Sequence, residues 1–216
     1  MKPLTALLAA LFLVALAACV GDPAPPAGAS EPSFTADAGP EAATPDADVA
    51  SAVITGVGGS GVSGTVTFRP VDGLLRARVR IEGLTEGEHG FHVHEGTSCA
   101  PDSAGTPGGA AGGHLNPLVS LHGAPSSVVV SHHAGDLGNI TAGPDGVAAG
   151  VVVDSLLSFS GPTSVEGHAV VVHAGRDDLE TQPDGASGRP VGCGVVRKGP
   201  LPTPWATPPA AVPPDA

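Results

Sequence analysis

Along the middle of the chain, apolar residues recur at every second position in short runs, and glycine-rich breaks separate one run from the next. The clearest run is Leu74-Leu75-Arg76-Ala77-Arg78-Val79-Arg80-Ile81, whose second half alternates charged and apolar side chains. A period of two sends alternate side chains to opposite faces, as in a half-buried strand. Residues 51–57, 62–68, 90–94, 147–153, 168–173 and 194–196 read as further strands, and no segment carries a helical period. Short strands joined by turns specify an all-β domain, a sandwich or a barrel. Composition agrees: 32 glycines, 23 prolines and 3% aromatic residues suit turns and strands better than a large helical core.

The flanks follow a different pattern. After Met1-Lys2-Pro3, residues 4–18 are almost unbroken apolar, too short a run to span a bilayer comfortably, so residues 1–18 read as a signal peptide. The run ends in Leu16-Ala17-Ala18-Cys19, which resembles the lipobox of bacterial lipoproteins and makes Cys19 the expected lipidation site. An ordinary export signal with a chance cysteine is the alternative. Several acyl chains on one cysteine would hold a membrane stably, where a single chain is marginal. Residues 19–48 are rich in Ala and Pro and carry Asp22, Glu31, Asp37, Glu41, Asp46 and Asp48 without any Lys or Arg. They read as a disordered acidic tether. Residues 199–216, Pro-rich and holding Trp205, read as a disordered tail, which leaves residues 49–198 as the folded domain.

Charge and cysteines narrow the classes. A net charge of -12 argues against a nucleic-acid partner, which calls for a basic footprint. Setting Cys19 aside leaves Cys99 and Cys193, an even pair in an exported chain, for which a disulfide is expected. It would close a loop of about 95 residues, worth roughly 4–5 kcal/mol in the chain-entropy model.

Residues 96–136 break the strand pattern, and a loop that long inside a domain must be tied down by something other than a core. It holds Cys99, His114, His122, His132, His133 and Asp136. In His92-Val93-His94, positions i and i+2 of a strand face the same way, so two imidazoles can reach one ion while Val93 packs behind. By itself this pair is equally a pair of unrelated strand histidines. In His133-Ala134-Gly135-Asp136 a turn through glycine can bring an imidazole and a carboxylate onto one cation, a mixture that suits zinc. His173, closing an apolar run, is by itself more often structural than a ligand.

Taken together, these segments carry a family resemblance. Gly83-Leu84-Thr85-Glu86-Gly87-Glu88-His89-Gly90-Phe91-His92-Val93-His94-Glu95 resembles the core motif of the copper/zinc superoxide dismutases. The likeness continues in order through Gly113-His114-Leu115-Asn116-Pro117, His122-Gly123, Gly135-Asp136-Leu137-Gly138-Asn139, Val171-Val172-His173, Asp177-Asp178-Leu179 and Gly192-Cys193-Gly194-Val195-Val196. The five-residue step from His94 to Cys99 and the Gly-Gly before His114 resemble the bacterial exported branch.

The resemblance implies an eight-stranded, immunoglobulin-like Greek-key barrel or sandwich with long metal-binding and electrostatic loops. It implies copper at His92, His94, His114 and His173, and zinc at His114, His122, His133 and Asp136, with His114 bridging the two. Asp177 matches a carboxylate that links the outer nitrogens of His92 and His122, and the disulfide matches Cys99–Cys193. The implied activity converts superoxide to dioxygen and hydrogen peroxide by one-electron cycling of copper, with His114 exchanging a proton. An acidic protein that attracts an anion needs a local cation. The family has an arginine three residues before the second cysteine; here Pro190 stands there and Arg189 lies one residue earlier. Arg189 is the expected guide if a one-residue bulge delivers it, and Arg176 is the second candidate. His89 and His132 are read as structural, His168 as solvent-facing. A non-catalytic copper- and zinc-binding protein of the envelope is the competing reading, favoured only by the displaced arginine. The place of action implied is the bacterial cell envelope, periplasm or surface, on a membrane held through Cys19.

Overall fold

A computed structural model describes residues 35–36, 48–125 and 132–202. The strands are β1 (Thr35–Ala36), β2 (Ala50–Gly56), β3 (Ser63–Val71), β4 (Leu74–Glu82), β5 (Gly87–His94), β6 (Asp136–Ala142), β7 (Ala148–Asp154), β8 (Ala169–His173), β9 (Pro190–Val195) and β10 (Arg197–Lys198). All ladders between them are antiparallel and run β1-β7-β4-β3-β2-β9-β8-β5-β6, with β10 added on β2. The connection from β4 to β5 leaves the β2–β3–β4 meander and crosses to the far sheet, while β7 returns to lie beside β4. That is a Greek-key path, and β2 to β9 form a nearly closed eight-stranded barrel.

Alternation builds the core. In β4, Leu75, Ala77, Val79 and Ile81 are buried while Arg76, Arg78 and Arg80 face outward. Phe68, Val66 and Ile54 meet Phe91, Val93, Leu137, Ile140, Val170 and Val172 between the two halves of the barrel. β8 is buried on both faces, which explains its unbroken Ala-Val-Val-Val run. Val170 and Val172 join the main core, whereas Ala169 and Val171 pack with Val57, Ala111 and Cys193 under the Cys99–Cys193 disulfide.

Three features depart from the strand pattern that the sequence predicts. β6 is a strand that the alternation does not announce. Gly138 adopts φ 74° and the ladder to β5 slips there, Gly90 pairing with Asn139 but His92 with Asp136. The extra residue is a β-bulge that lets both Leu137 and Ile140 reach the core while Asp136 turns toward the histidines. Second, the expected tether is not structureless throughout: Thr35 pairs with Val151 and Ala36 with Gly150 on the edge of β7. An edge strand offers unpaired N–H and C=O groups, and this segment takes them. Third, Pro200, Leu201 and Pro202 of the expected tail line a groove with Ser51, Val53, Val195 and Arg197. The signal peptide, Cys19 and Trp205 lie outside the described residues.

The long loop between β5 and β6 is fastened to the edge of β5 where chemistry needs it. Glu95 N–H donates to Gly113 O at 2.9 Å, Leu115 N–H to Val93 O at 2.8 Å, and Val93 N–H to Gly135 O at 2.9 Å. A side chain at Gly135 would run into the Val93 carbonyl, so only glycine permits this last approach. His94 and His114 thereby become bridge partners.

Candidate metal centre

Seven buried side chains, one of them shared between two groups of four, converge beside β5. The ligand atoms of His92, His94, His114 and His173 lie within 4.8 Å of one another, as do those of His114, His122, His133 and Asp136. His92 and His94 come from β5 and His173 from the end of β8, with Val93 fully buried behind them. His114, His122 and His133 come from the long loop, and the bulge of β6 supplies Asp136. The rings of His92 and His114 stand 4.0 Å apart between centroids, His94 and His114 5.0 Å, His114 and His122 5.3 Å, His114 and His133 5.5 Å.

The outer nitrogens fix which inner nitrogen is free. His94 Nδ1–H donates to Gly112 O at 2.8 Å and His173 Nδ1–H to Gly188 O at 2.7 Å. Carbonyls only accept, so each ring keeps its Nε2 lone pair for the interior. Those two Nε2 atoms face each other at 3.3 Å. Two lone pairs so close repel unless a cation lies between them. His92 Nε2–H donates to Asp177 Oδ2 at 2.7 Å and His122 Nε2–H to Asp177 Oδ1 at 2.9 Å, which leaves the Nδ1 of each pointing inward. His92 Nδ1, His114 Nε2 and His122 Nδ1 are buried without a hydrogen-bond partner. His122 Nδ1 is 3.1 Å from Asp136 Oδ1, close enough for contact but out of line for a hydrogen bond.

Asp136 divides its two oxygens. Oδ2 accepts the backbone N–H of His133 at 2.9 Å and of Gly123 at 3.1 Å. Oδ1 is ringed by three Nδ1 atoms, from His114 at 2.7 Å, His122 at 3.1 Å and His133 at 3.1 Å. Three imidazole nitrogens and one carboxylate oxygen are a tetrahedral zinc set. Four imidazoles with no hard oxygen suit copper. The donors present therefore fit both ions.

Electrostatics prepare the same atoms. Burial pushes His92 down to about 3 and His173 down to about 4, and the neighbouring His114 adds to the effect in both. Burial also drives His94 well below its ordinary value and lowers His133. Neutral imidazoles are what metal ligation requires. Burial would raise Asp136 and Asp177, but the hydrogen bond from His114 and the His122 ring in contact with it hold the first, and hydrogen bonds from His122 and His92 hold the second, well below the usual carboxylate range. Burial would lower His122, yet Asp136 and Asp177 on either side outweigh it and raise the ring to about 10.

Several supports were not read from the sequence. Asn139 grips the Asp177 backbone from both sides, Nδ2–H to its O at 2.9 Å and Oδ1 from its N–H at 2.8 Å. Gln182 does the same for His122, at 2.9 and 2.8 Å. Gly185, at φ 64°, leaves room against Asp177 and His122 that a methyl group would fill. Asn139 closes the Gly135-Asp136-Leu137-Gly138-Asn139 motif, but the carbonyls of Gly112 and Gly188 leave no trace in residue identity.

The remaining candidates divide. His89 is buried between Thr85 O and His173 O, at 2.9 and 2.8 Å, and His132 is buried with Nδ1 on His133 O at 2.8 Å. Neither joins the two donor groups. His168 is half-buried rather than solvent-facing, its Nδ1–H reaching Glu95 O at 2.9 Å. Val172 pairs with Gly192 but His173 with Pro190, so Val191 is the extra residue of a bulge. Arg189 lies two residues before the bulged Val191, its carbonyl accepting Ala174 N–H at 2.9 Å and its exposed side chain reaching toward Gly58. Arg176 is engaged elsewhere, its Nε–H on Glu88 Oε2 at 2.7 Å.

A Greek-key barrel whose one side holds two adjoining donor sets with a shared imidazole defines a bimetallic β-barrel protein. The family model for copper/zinc superoxide dismutase matches residues 62–196. A curated relative from Deinococcus radiodurans, "Superoxide dismutase [Cu-Zn]", is 42% identical over 141 residues, 63% of this chain and 78% of the relative. The chain belongs to the copper/zinc superoxide dismutase family. It is an oxidoreductase that converts superoxide to dioxygen and hydrogen peroxide, with copper and zinc as cofactors.

Proposed function

We propose that His92, His94, His114 and His173 hold the copper, that His114, His122, His133 and Asp136 hold the zinc, and that the enzyme works in the bacterial cell envelope on a lipid carried by Cys19. The observation behind the assignment is His114: its Nδ1 faces Asp136 Oδ1 at 2.7 Å and its Nε2 is buried without a partner on the other side. One ring belongs to both donor groups. Copper, when bound, supplies the one-electron redox change that dismutation needs and that zinc lacks.

The protein's own groups do the rest. Carbonyls of Gly112 and Gly188 and the carboxylate of Asp177 hold four rings in the ligating tautomer. His114 Nε2 is placed to hold the proton that peroxide needs and to release it to product. Arg189, exposed next to the bulge at the end of β8, draws the superoxide anion toward that side against the net charge of -12. The export reading rests on the apolar run of residues 4–18 followed by Leu16-Ala17-Ala18-Cys19.

Metal content by native mass spectrometry, with dismutation measured on the same samples, tests the assignment. His114→Ala is expected to lower both metals and His168→Ala neither. Full metal content and full activity in His114→Ala would sink it, and full metal content with negligible dismutation in the unaltered chain would point to metal storage. Cys19→Ser is expected to move the protein from the membrane to the soluble fraction; unchanged membrane retention would refute the anchor.

A further inference from the structure

On its way to His122, the loop between β5 and β6 forms an apolar tip that faces water. Among the described residues five large aliphatic side chains are exposed, and three of them, Leu118, Val119 and Leu121, fall within four positions. They are 48%, 88% and 68% exposed. Val119, the most exposed, also holds φ 55°, a left-handed conformation that a β-branched residue rarely adopts. Glycine or asparagine suits such a backbone, so valine there carries a cost that the packing of the barrel does not explain.

The tip is held in shape from both ends. Asn116 Nδ2–H donates to Ser120 O and Ser120 N–H to Asn116 Oδ1, both at 2.9 Å, and Val119 N–H reaches Asn116 O at 3.3 Å. On the other side Gln182 grips the backbone of His122. A fixed turn thus displays the three side chains. In a chain of net charge -12, none of residues 103–135 is Asp, Glu, Lys or Arg. The tip can therefore leave water without taking an ion of its own loop with it. Gln182 also donates to Glu180 O at 3.1 Å, which sets an acid-bearing segment behind the clamp and disfavours an anionic lipid surface. Area separates the remaining partners. Three aliphatic side chains offer a few hundred Å² at most, against roughly 800 Å² per partner in a standard protein interface. A second copy needs more surface than that, whereas a bilayer needs no complementary shape.

We propose that Leu118, Val119 and Leu121 insert shallowly into a bilayer of zwitterionic lipid and seat the β5–β6 loop on the membrane. The consequence is orientation: the side of the barrel that bears this loop meets the lipid. The contact does not depend on Cys19. Where an acyl chain is present, the two attachments raise each other's local concentration.

A tryptophan placed at the tip tests it. Leu121→Trp/Trp205→Phe gives the full, metal-loaded chain a single tryptophan there, and Cys19→Ser in the same chain keeps any acyl chain out of the measurement. With vesicles of phosphatidylcholine brominated along its acyl chains, emission should shift to the blue and fall at least about twofold, in about 0.02 M and in about 0.5 M NaCl alike, because no charge pair carries the contact. Adding Leu118→Ser/Val119→Ser should cut that quenching at least about threefold while metal content stays unchanged. Val119→Gly, which suits φ 55° better, should fold at least as well and still lower the quenching. Emission indifferent to the vesicles would overturn the proposal, as would quenching that survives Leu118→Ser/Val119→Ser or disappears in high salt. A blue shift that needs no lipid and grows with protein concentration would overturn it in favour of a second copy.

Discussion

Replacing Asp177 by Asn separates the two donor groups by a single proton. Asp177 is fully buried, and its two oxygens accept His92 Nε2–H at 2.7 Å and His122 Nε2–H at 2.9 Å. Asparagine has one accepting oxygen and one donating amide, so one of the two rings must present a bare Nε2 and carry its proton on the inner nitrogen. For His122 that wrong tautomer has a ready acceptor, because Asp136 Oδ1 lies 3.1 Å from Nδ1. For His92 the inner Nδ1 has no partner. His122 should therefore be the ring that turns, and zinc the metal that suffers. Removing a group that orients a ligand costs about 10–100-fold in metal affinity, or about 1.4–2.8 kcal/mol. That is close to one charge-assisted hydrogen bond of about 1.5–3 kcal/mol. Competition against a chelator of known strength, run separately for each metal, reads this out. Zinc should weaken about 10–100-fold and copper by less than about threefold. Equal weakening of both metals, or none, would refute the tautomer argument.

Zinc binding should expel about one proton at pH 7.5, because His122 is raised to about 10 in the metal-free protein and must be neutral to ligate. Calorimetry in buffers of different ionisation enthalpy counts it; copper should displace none from His92 or His173, which burial already holds neutral. By the same shift, the folded metal-free chain gains stability from His122 that is complete below its unfolded value near 6.5 and is lost as pH rises through about 10. Denaturant melts at pH 6 and pH 10.5 should show the metal-free protein weaker at the higher pH. Cys99→Ser/Cys193→Ser opens a crosslink with a sequence separation of 94 and should cost about 2–5 kcal/mol in denaturant unfolding, with increased exchange in the loop that Cys99 ties down. Arg189→Ala should lower the dismutation rate about tenfold at low salt and flatten its salt dependence. Arg176→Ala, already paired with Glu88, should change it by less than about twofold.

How far residue identity reveals the structure depends on range. β4 announces itself because its alternation is local, and His92-Val93-His94 because a strand's period puts both rings on one side. β6 does not, because the bulge at Leu137–Gly138 breaks its alternation and only pairing with β5 makes it strand. Thr35–Ala36 is ordered by pairing with Val151 and Gly150, far away in sequence, a property of the β7 edge and not of the tether. The carbonyls of Gly112 and Gly188 and the Arg176–Glu88 pair are likewise invisible, since every residue has a carbonyl and a charge does not name its partner. The residues that gather into the two groups were legible, and so was Asp177 behind them; the backbone carbonyls and the Asn139 and Gln182 clamps were not.

Both of the barrel's ladder slips border the donor groups, and each solves a problem that a regular strand cannot. Perfect alternation in β6 would put Asp136 and Ile140 on the same face. The extra residue at Leu137–Gly138 sends Ile140 to the core and Asp136 to the histidines. In β9, Val191 absorbs the residue that separates Arg189 from the spacing of its family, so that Pro190 pairs with His173 and Arg189 leaves the sheet beside it. A bulge bends its strand and re-aims the side chains on either side of it. Deleting Val191 would restore the regular count and also shift Arg189 by one residue, reversing the direction of its side chain. The displaced arginine is thus one end of a two-part arrangement, and its position makes sense only together with the slip that precedes Gly192.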